Sequence, residues 1–400
     1  MNLKSLFFLL PALAAPALLS AEETDLAVTA GKLARQAIIV DTHIDVPYRL
    51  FNGWEDVTQS TGDGDFDYER ARRGGLNIPF MSIYTPAESE EEGTSYALAN
   101  QLIDSVEALV GRAPGKFAIV KTTDDAKKAM ENGLIGLAMG MENGSPIEGK
   151  LENLAFFHDR GINYITLAHS LNNHISDSSY DEEPKWNGLS PFGKEVVAEM
   201  NRVGIMVDIS HVTDKAFYQV LEISKAPVIA SHSSPRHFTP GWERNMSDEM
   251  IKALARNGGV IQINFGSSFL SQEAFEWHET MDELRSAYLK ANGLDEHGDE
   301  AEQFQKDYRL KHPFPYATLD DLVANFEHVI NLVGVEHVGI GSDFDGVGDS
   351  LPEGMKDVSY YPALIEALLK REYTVDNIKA IMGGNLMRVW REVEAQAAAR

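Results

Sequence analysis

The feature that most constrains this chain is a rhythm. Short apolar runs rich in β-branched residues recur at residues 37–41, 78–84, 134–141, 163–168, 205–209, 228–231, 260–264 and 338–342, and amphipathic helical stretches separate them. That alternation predicts parallel βα units. Eight of them point to an α/β fold, a (β/α)8 barrel of the TIM type with loop insertions, more than to an open doubly wound sheet. A length of 400 residues exceeds the usual single domain, but one such barrel absorbs it. A single domain over residues 22–400 is therefore expected. No internal repeat or low-complexity linker divides it.

The helical stretches carry their own start and stop signals. Thr318 can cap a helix whose Leu322, Val323, Phe326, Val329, Ile330 and Val333 form one apolar stripe ending at Gly334. Ser247-Asp248-Glu249 opens another, which stops at Asn257-Gly258-Gly259. Thr123, with Asp124 and Asp125, opens a third that Gly133 closes. Two stretches break the rhythm. Residues 180–193 are a long polar loop with Trp186 and Pro191. Residues 267–316 are a charged insertion of helical pattern, placed after a strand and so near the mouth of a barrel, either as a lid or as a solvated excursion.

Composition narrows the function. With 61 acidic against 35 basic residues the formal charge is −26, which disfavours DNA, RNA and anionic lipid as partners. There is no cysteine, so disulfides, thiolate ligands, a cysteine nucleophile and a lipoprotein anchor are excluded. Lys4, the apolar residues 6–19 and the small pair Ser20-Ala21 read as a secretory signal over residues 1–21. A retained membrane anchor is disfavoured because the run is short and interrupted by Pro11 and Pro16. The sequence shows no apolar tail after Gln396, so no C-terminal lipid anchor is expected. A secreted protein of the bacterial periplasm is the simplest expectation.

The chemistry gathers where the runs end. The first leads into Asp41-Thr42-His43-Ile44-Asp45 and the third into Glu142-Asn143-Gly144. The fourth ends at His169, the fifth at Ser210-His211, the sixth at Ser231-His232, and the eighth at Asp343-Phe344-Asp345-Gly346. Active sites of α/β barrels are built at the C-terminal ends of their strands. Residues i and i+2 of a strand share a face, so His43 and Asp45 can grip one metal. His211 and His232, from neighbouring strands, can hold a second, and Glu142 has two oxygens with which to bridge both. Imidazole and carboxylate without sulfur suit zinc, with manganese or cobalt as alternatives. Two dications about 3.5–4 Å apart can share a water, lower its pKa and stabilise a developing oxyanion. Asp343, not needed as a ligand, is placed to move a proton, and Asp345 competes for that role or serves as a turn residue before Gly346. His158, His174, His237, His278, His297, His312, His328 and His337 lie away from strand ends and read as structural.

Other chemistries lack their residues. The Asp343 stretch lacks the remaining positions of a calcium loop. There is no phosphate-binding loop, no dinucleotide fingerprint and no Gly-x-Ser-x-Gly elbow.

These motifs resemble the membrane (renal-type) dipeptidase family, zinc peptidases of the amidohydrolase-like group. The resemblance runs from Val40-Asp41-Thr42-His43-Ile44-Asp45-Val46-Pro47 to Gly384-Asn385-Leu386-Met387-Arg388-Val389. It is most specific at Gly188-Leu189-Ser190-Pro191-Phe192-Gly193 and Val207-Asp208-Ile209-Ser210-His211-Val212. Val228-Ile229-Ala230-Ser231-His232-Ser233-Ser234 and Gly341-Ser342-Asp343-Phe344-Asp345-Gly346 add to it. It implies two Zn2+ per chain on the ligands above, with His169 touching the substrate near the scissile carbonyl and Arg244 holding its terminal carboxylate. On sequence alone Arg244 is a surface cation. The resemblance further implies a small dipeptide substrate with a free C-terminal carboxylate, tolerance of a D-residue there, and a homodimer. Two loops depart from the family pattern: Asn172-Asn173-His174-Ile175 and Gly266-Ser267-Ser268. Hydrolysis of another carboxylate-bearing amide (an N-acyl amino acid or a β-lactam) and a non-catalytic metal-binding protein are the rival readings.

Overall fold

A computed structural model describes residues 21–295 and 298–399. The signal reading falls on residues 1–20 and, like His297, lies outside the described residues, apart from Ala21, which opens the first helix.

Nine strands are present among the described residues: β1 (Val40–Ile44), β2 (Ile78–Tyr84), β3 (Phe117–Ile119), β4 (Ile135–Glu142), β5 (Ile162–Thr166), β6 (Met206–Asp208), β7 (Ile229–Ala230), β8 (Val260–Ile263) and β9 (Val338–Ile340). All neighbours pair in parallel. The sheet closes because β2 pairs with both β1 and β4, while β1 pairs with β9. The result is an eight-stranded parallel barrel ringed by helices, as the eight apolar runs predict. The additional strand, β3, was not expected from the sequence. It joins the start of β4 (Phe117↔Ile135 to Ile119↔Leu137), before β5 takes over at Met139↔Ile162. Three residues of Phe-Ala-Ile are too short for periodicity to reveal.

Two further expectations shift. The first strand begins three residues late and runs through Asp41, Thr42 and His43. These polar residues interrupt the apolar run, and two of them are satisfied inside: Thr42 Oγ1 donates to Ile340 O at 2.9 Å, and Asp41 Oδ2 accepts from Tyr361 Oη at 2.5 Å. The third helix opens at Thr123, but its cap is Thr122, whose hydroxyl accepts from the Asp125 N–H. Ser247 caps as expected, and Thr318 forms a reciprocal capping box with Asp321.

The strands position chemistry by filling the barrel in two zones. Val40, Phe80, Ala138, Tyr164, Met206, Ile229 and Val260 form one apolar cluster with Trp390 of the C-terminal helix Asn385–Ala398. Phe80 and Trp390 lie 5.2 Å apart, ring to ring. Burying each such side chain stabilises by roughly 1.5–3 kcal/mol. Toward the strand C-termini the filling changes to His43, Glu142, Asp208, His211, His232 and Asp343, all buried. The described residues between 267 and 316 include helices Ser267–Leu270, Gln272–Asn292 and Asp299–Lys311. Arg309 ties the last of these to Asp349 Oδ2 at 2.7 Å.

Candidate metal centre

Glu142, the last residue of β4, stands at the middle of the cluster. Its Oε2 lies 3.3 Å from His43 Nε2, which is itself 3.4 Å from Asp45 Oδ2. Its Oε1 lies 3.1 Å from His211 Nε2, 3.2 Å from His232 Nε2 and 3.6 Å from His169 Nε2. One carboxylate thus turns each oxygen to a different set of donors. β1 carries a register shift between Asp41 and Ile44 and Asp45 already leaves strand geometry, so strict alternation does not explain the His43–Asp45 pair. The two side chains nevertheless meet.

Two of the imidazoles, His43 and His232, are held with defined tautomers. Tyr164 Oη donates to Thr42 O at 2.9 Å, so its contact with His43 Nδ1 at 2.8 Å must be accepted from that nitrogen. His43 Nε2 then faces Glu142, buried and with no hydrogen-bond partner. Ser231 Oγ likewise donates to Asp208 Oδ2 at 2.6 Å and accepts from His232 Nδ1 at 2.8 Å. His232 Nε2 is left 2.8 Å from His211 Nε2, two nitrogens aimed at one place. Such outer partners fix ring orientation in metal sites. The backbone bends to allow the approach: Asn143, His211, Asp343 and Asp345 all have φ between 63 and 74. Left-handed conformations of this kind cost non-glycine residues on the order of 1–3 kcal/mol and gather at functional sites. Gly346 completes the turn, since a Cβ there would sit 2.2 Å from Asp343 Oδ1 and 2.3 Å from Asp45 Oδ2.

The electrostatics favour a cation. Burial opposes charge on Glu142 most strongly, yet His43 and His169, with His211 and His232 against its Oε1, hold its pKa well below the usual carboxylate range. Burial, with Arg244 nearby, holds His211 well below the usual imidazole range; burial, with His43 and Arg244, does the same to His232. Both keep lone pairs to donate. Burial also works against a proton on His43, but Tyr164, Glu142 and Asp45 outweigh it and raise that pKa. A cation would take that proton's place. Three groups of donor atoms lie within 4.8 Å of one another: His43, Glu142 and His232; Glu142, His169 and His211; and His43, Asp45 and Asp343. An all nitrogen-and-oxygen donor set with an orphaned imidazole nitrogen fits bound divalent metal.

Asp343 therefore stands within ligand reach of His43 and Asp45, closer than the sequence alone indicates. Its Oδ2 accepts from Asn264 Nδ2 at 2.7 Å. Burial, reinforced by Asp45 and Glu142 against His43, pushes its carboxyl up to about 7. Asp345 is otherwise engaged, with Oδ2 3.1 Å from Arg49 Nε and Oδ1 accepting the Asp65 N–H at 2.6 Å.

Arg244 is not a surface cation; it is 3% exposed. Asn245 folds its loop inward by accepting the Ser234 N–H at 2.9 Å and donating to Phe269 O at 2.9 Å. The guanidinium donates to Ser233 Oγ at 2.7 Å and His232 O at 2.8 Å, has no carboxylate within salt-bridge reach among the described residues, and leaves Nε without a partner. A cavity of ≈ 800 Å3 joins Arg244, His169, Glu142 and Asp343, and its far wall includes His278, Asp282 and Phe314 of the insertion. Sequence reasoning missed Tyr164, Asp208, Ser231 and Asn264. The signal for Tyr164 was present: Gly140 interrupts the bulky β4, and a Cβ there would lie 2.0 Å from the Tyr164 ring.

Comparison with known proteins agrees with this geometry. A family model described as membrane dipeptidase (peptidase family M19) matches residues 28–400. The dipeptidase tcpJ of Claviceps purpurea is 32% identical over 355 residues, 86% of this chain and 74% of that protein. An uncharacterized dipeptidase of Schizosaccharomyces pombe is 32% identical over 399 residues, 94% and 85% of the two. Among solved structures, the probable dipeptidase PvdM of Pseudomonas aeruginosa superposes with TM-score 0.80 at 28% identity, covering 94% of this chain and all of that one.

Proposed function

This chain belongs to the membrane dipeptidase family, peptidase family M19, and from that premise we propose that it is a two-zinc dipeptidase acting on dipeptides with a free C-terminal carboxylate. It is a metal-dependent hydrolase of that family. The observation that carries the finer reading is the split of Glu142, Oε2 toward His43, which in turn meets Asp45, and Oε1 toward His211 and His232. His43, Asp45 and Glu142 would hold one ion, and Glu142, His211 and His232 the other. When bound, the pair supplies Lewis acidity, lowering the pKa of a water and offsetting charge on the carbonyl oxygen.

The chain's own groups do the rest. Arg244, a buried cation without a carboxylate partner among the described residues, binds the substrate's terminal carboxylate and so fixes which bond is presented. His169, beside Glu142, contacts the scissile carbonyl. Asp343, with Oδ2 held by Asn264, takes a proton from the attacking water at its other oxygen and returns it to the leaving amine. Tolerance of a D-residue at the C-terminal position belongs to the same proposal, supported by a cavity at the large end of the ligand range of about 300–1,000 Å3.

A panel of L,L- and L,D-dipeptides, their C-terminal amides, an N-acyl amino acid and a β-lactam, assayed on metal-loaded protein, tests this reading. Turnover of free dipeptides with poor turnover of the amides is expected. Preference for the N-acyl amino acid or the β-lactam would replace the reading, and turnover of nothing would leave a metal-binding protein. We further propose export to the periplasm, from residues 1–21, and a homodimer. N-terminal sequencing of the exported protein and light scattering check these. No helix among the described residues is long and apolar enough to cross a membrane.

A further inference from the structure

The two ends of the cavity differ in chemistry. Around Arg244 it is aromatic. The guanidinium carbon lies 5.1 Å from the centre of the Phe269 ring. Phe269 and Trp242 are 4.8 Å apart, and Trp242 meets Tyr180 edge-on at 6.4 Å. Phe269, Trp242 and Tyr180 all line the cavity, while Phe275 of the insertion backs Trp242 at 4.8 Å. On the other side of Glu142 the lining mixes the rings of Tyr48 and Tyr84 with the charged and polar groups of Asp45, Arg49, Asn52 and Asp345. The three lining rings come from three separate loops, after β5, β7 and β8. Tyr180 is 44% exposed. Trp242 is half-buried and Phe269 buried, so the wall is anchored in the fold and opens to solvent at its Tyr180 edge.

Covalent geometry ties that wall to one part of the substrate. The carboxylate carbon and the Cα bearing the C-terminal side chain are one bond apart, about 1.5 Å. A carboxylate held by Arg244 therefore keeps that side chain beside Phe269 and Trp242. We propose that the enzyme selects dipeptides whose C-terminal residue carries a large apolar or aromatic side chain, seated against Trp242, Phe269 and Tyr180. This rests on the dipeptidase reading and on Arg244 as carboxylate anchor. Rings stack and burial of apolar area grows with side-chain size, so selectivity rises from Gly through Ala and Leu to Phe.

The test measures kcat/KM for Ala-Gly, Ala-Ala, Ala-Leu, Ala-Phe and Ala-Glu, in both configurations of the C-terminal residue, on metal-loaded wild type, Trp242→Ala and Trp242→Phe. Wild type is expected to favour Ala-Phe over Ala-Gly by about tenfold or more, since even one methylene in an apolar pocket discriminates by roughly 10–200-fold. Ala-Glu falls well below Ala-Phe. Trp242→Ala collapses the Phe/Gly ratio and Trp242→Phe restores most of it. A purely structural Trp242 would lower the melting temperature and scale all substrates together with the ratio unchanged, which overturns the proposal. A flat wild-type panel overturns it too while leaving the dipeptidase reading intact. Absence of turnover on every dipeptide removes the reading beneath it.

Discussion

Replacing Asp343 by Asn separates proton transfer from metal binding. Asp343 is buried, and its Oδ2 accepts from Asn264 Nδ2 at 2.7 Å. Asn keeps the shape and an acceptor oxygen for that contact, so packing should survive. It cannot take a proton. In the protein alone, burial first, and then Asp45 and Glu142, push the carboxyl up to about 7 against the pull of His43, so the site resists a permanent extra charge there. Asp343→Asn should lower kcat by about 10²–10⁴, the usual share of a general acid–base group, equivalent to roughly 2.7–5.5 kcal/mol of barrier. KM should move little. The assay is steady-state turnover of a dipeptide at saturating metal, with metal analysis on the same preparation. Because Asp343 lies within ligand reach of His43 and Asp45, loss of a metal ion would make it a ligand and refute the proton-relay role. Near-wild-type kcat would refute it as well. Asp345 would then be the next residue to examine, although Arg49 and the Asp65 N–H already occupy its oxygens.

Arg244→Ala should lower kcat/KM mainly through KM, by about 10–150-fold, since a charge-assisted contact contributes roughly 1.5–3 kcal/mol; unchanged KM would remove its anchoring role. His211→Ala should lose one metal equivalent and the stabilisation it brings, about 2.7 kcal/mol when free metal is a hundred times Kd, read as a drop in melting temperature that added metal no longer reverses. Tyr164→Phe removes the hydroxyl that orients His43 at 2.8 Å and should weaken metal affinity by about 10–100-fold in a chelator competition. Gly140→Ala would place a methyl 2.0 Å from the Tyr164 ring and should destabilise by roughly 1–3 kcal/mol in a denaturant titration.

What the sequence made legible follows from locality. Each barrel strand is a short apolar run, and six of the eight runs lead into a residue of the cluster, so eight strands and the positions of His43, Glu142, His169, His211, His232 and Asp343 can be read along the chain. The strand β3 could not, because its three residues become a strand only through pairing with Ile135, Gly136 and Leu137. Arg244 reads as a surface cation because nothing beside it in sequence reports burial. Its environment is made by Asn245 reaching Ser234 and Phe269 across two loops. Tyr164, Asp208 and Ser231 were passed over for the same reason, as each acts through a partner on another strand. The aromatic wall is the extreme case, with Tyr180, Trp242 and Phe269 brought together by three loops. Loop-to-loop closure is a property of the finished barrel.

The central claim is that Glu142 joins two cations at one site. Stepwise return of zinc to fully chelated protein, with bound metal and dipeptide turnover read on the same samples, tests it most directly. The account predicts that full activity arrives only with the second equivalent per chain, and that Glu142→Gln loses metal affinity together with activity. Full activity at one equivalent or none, or a Glu142→Gln protein that still binds two ions tightly, would contradict it.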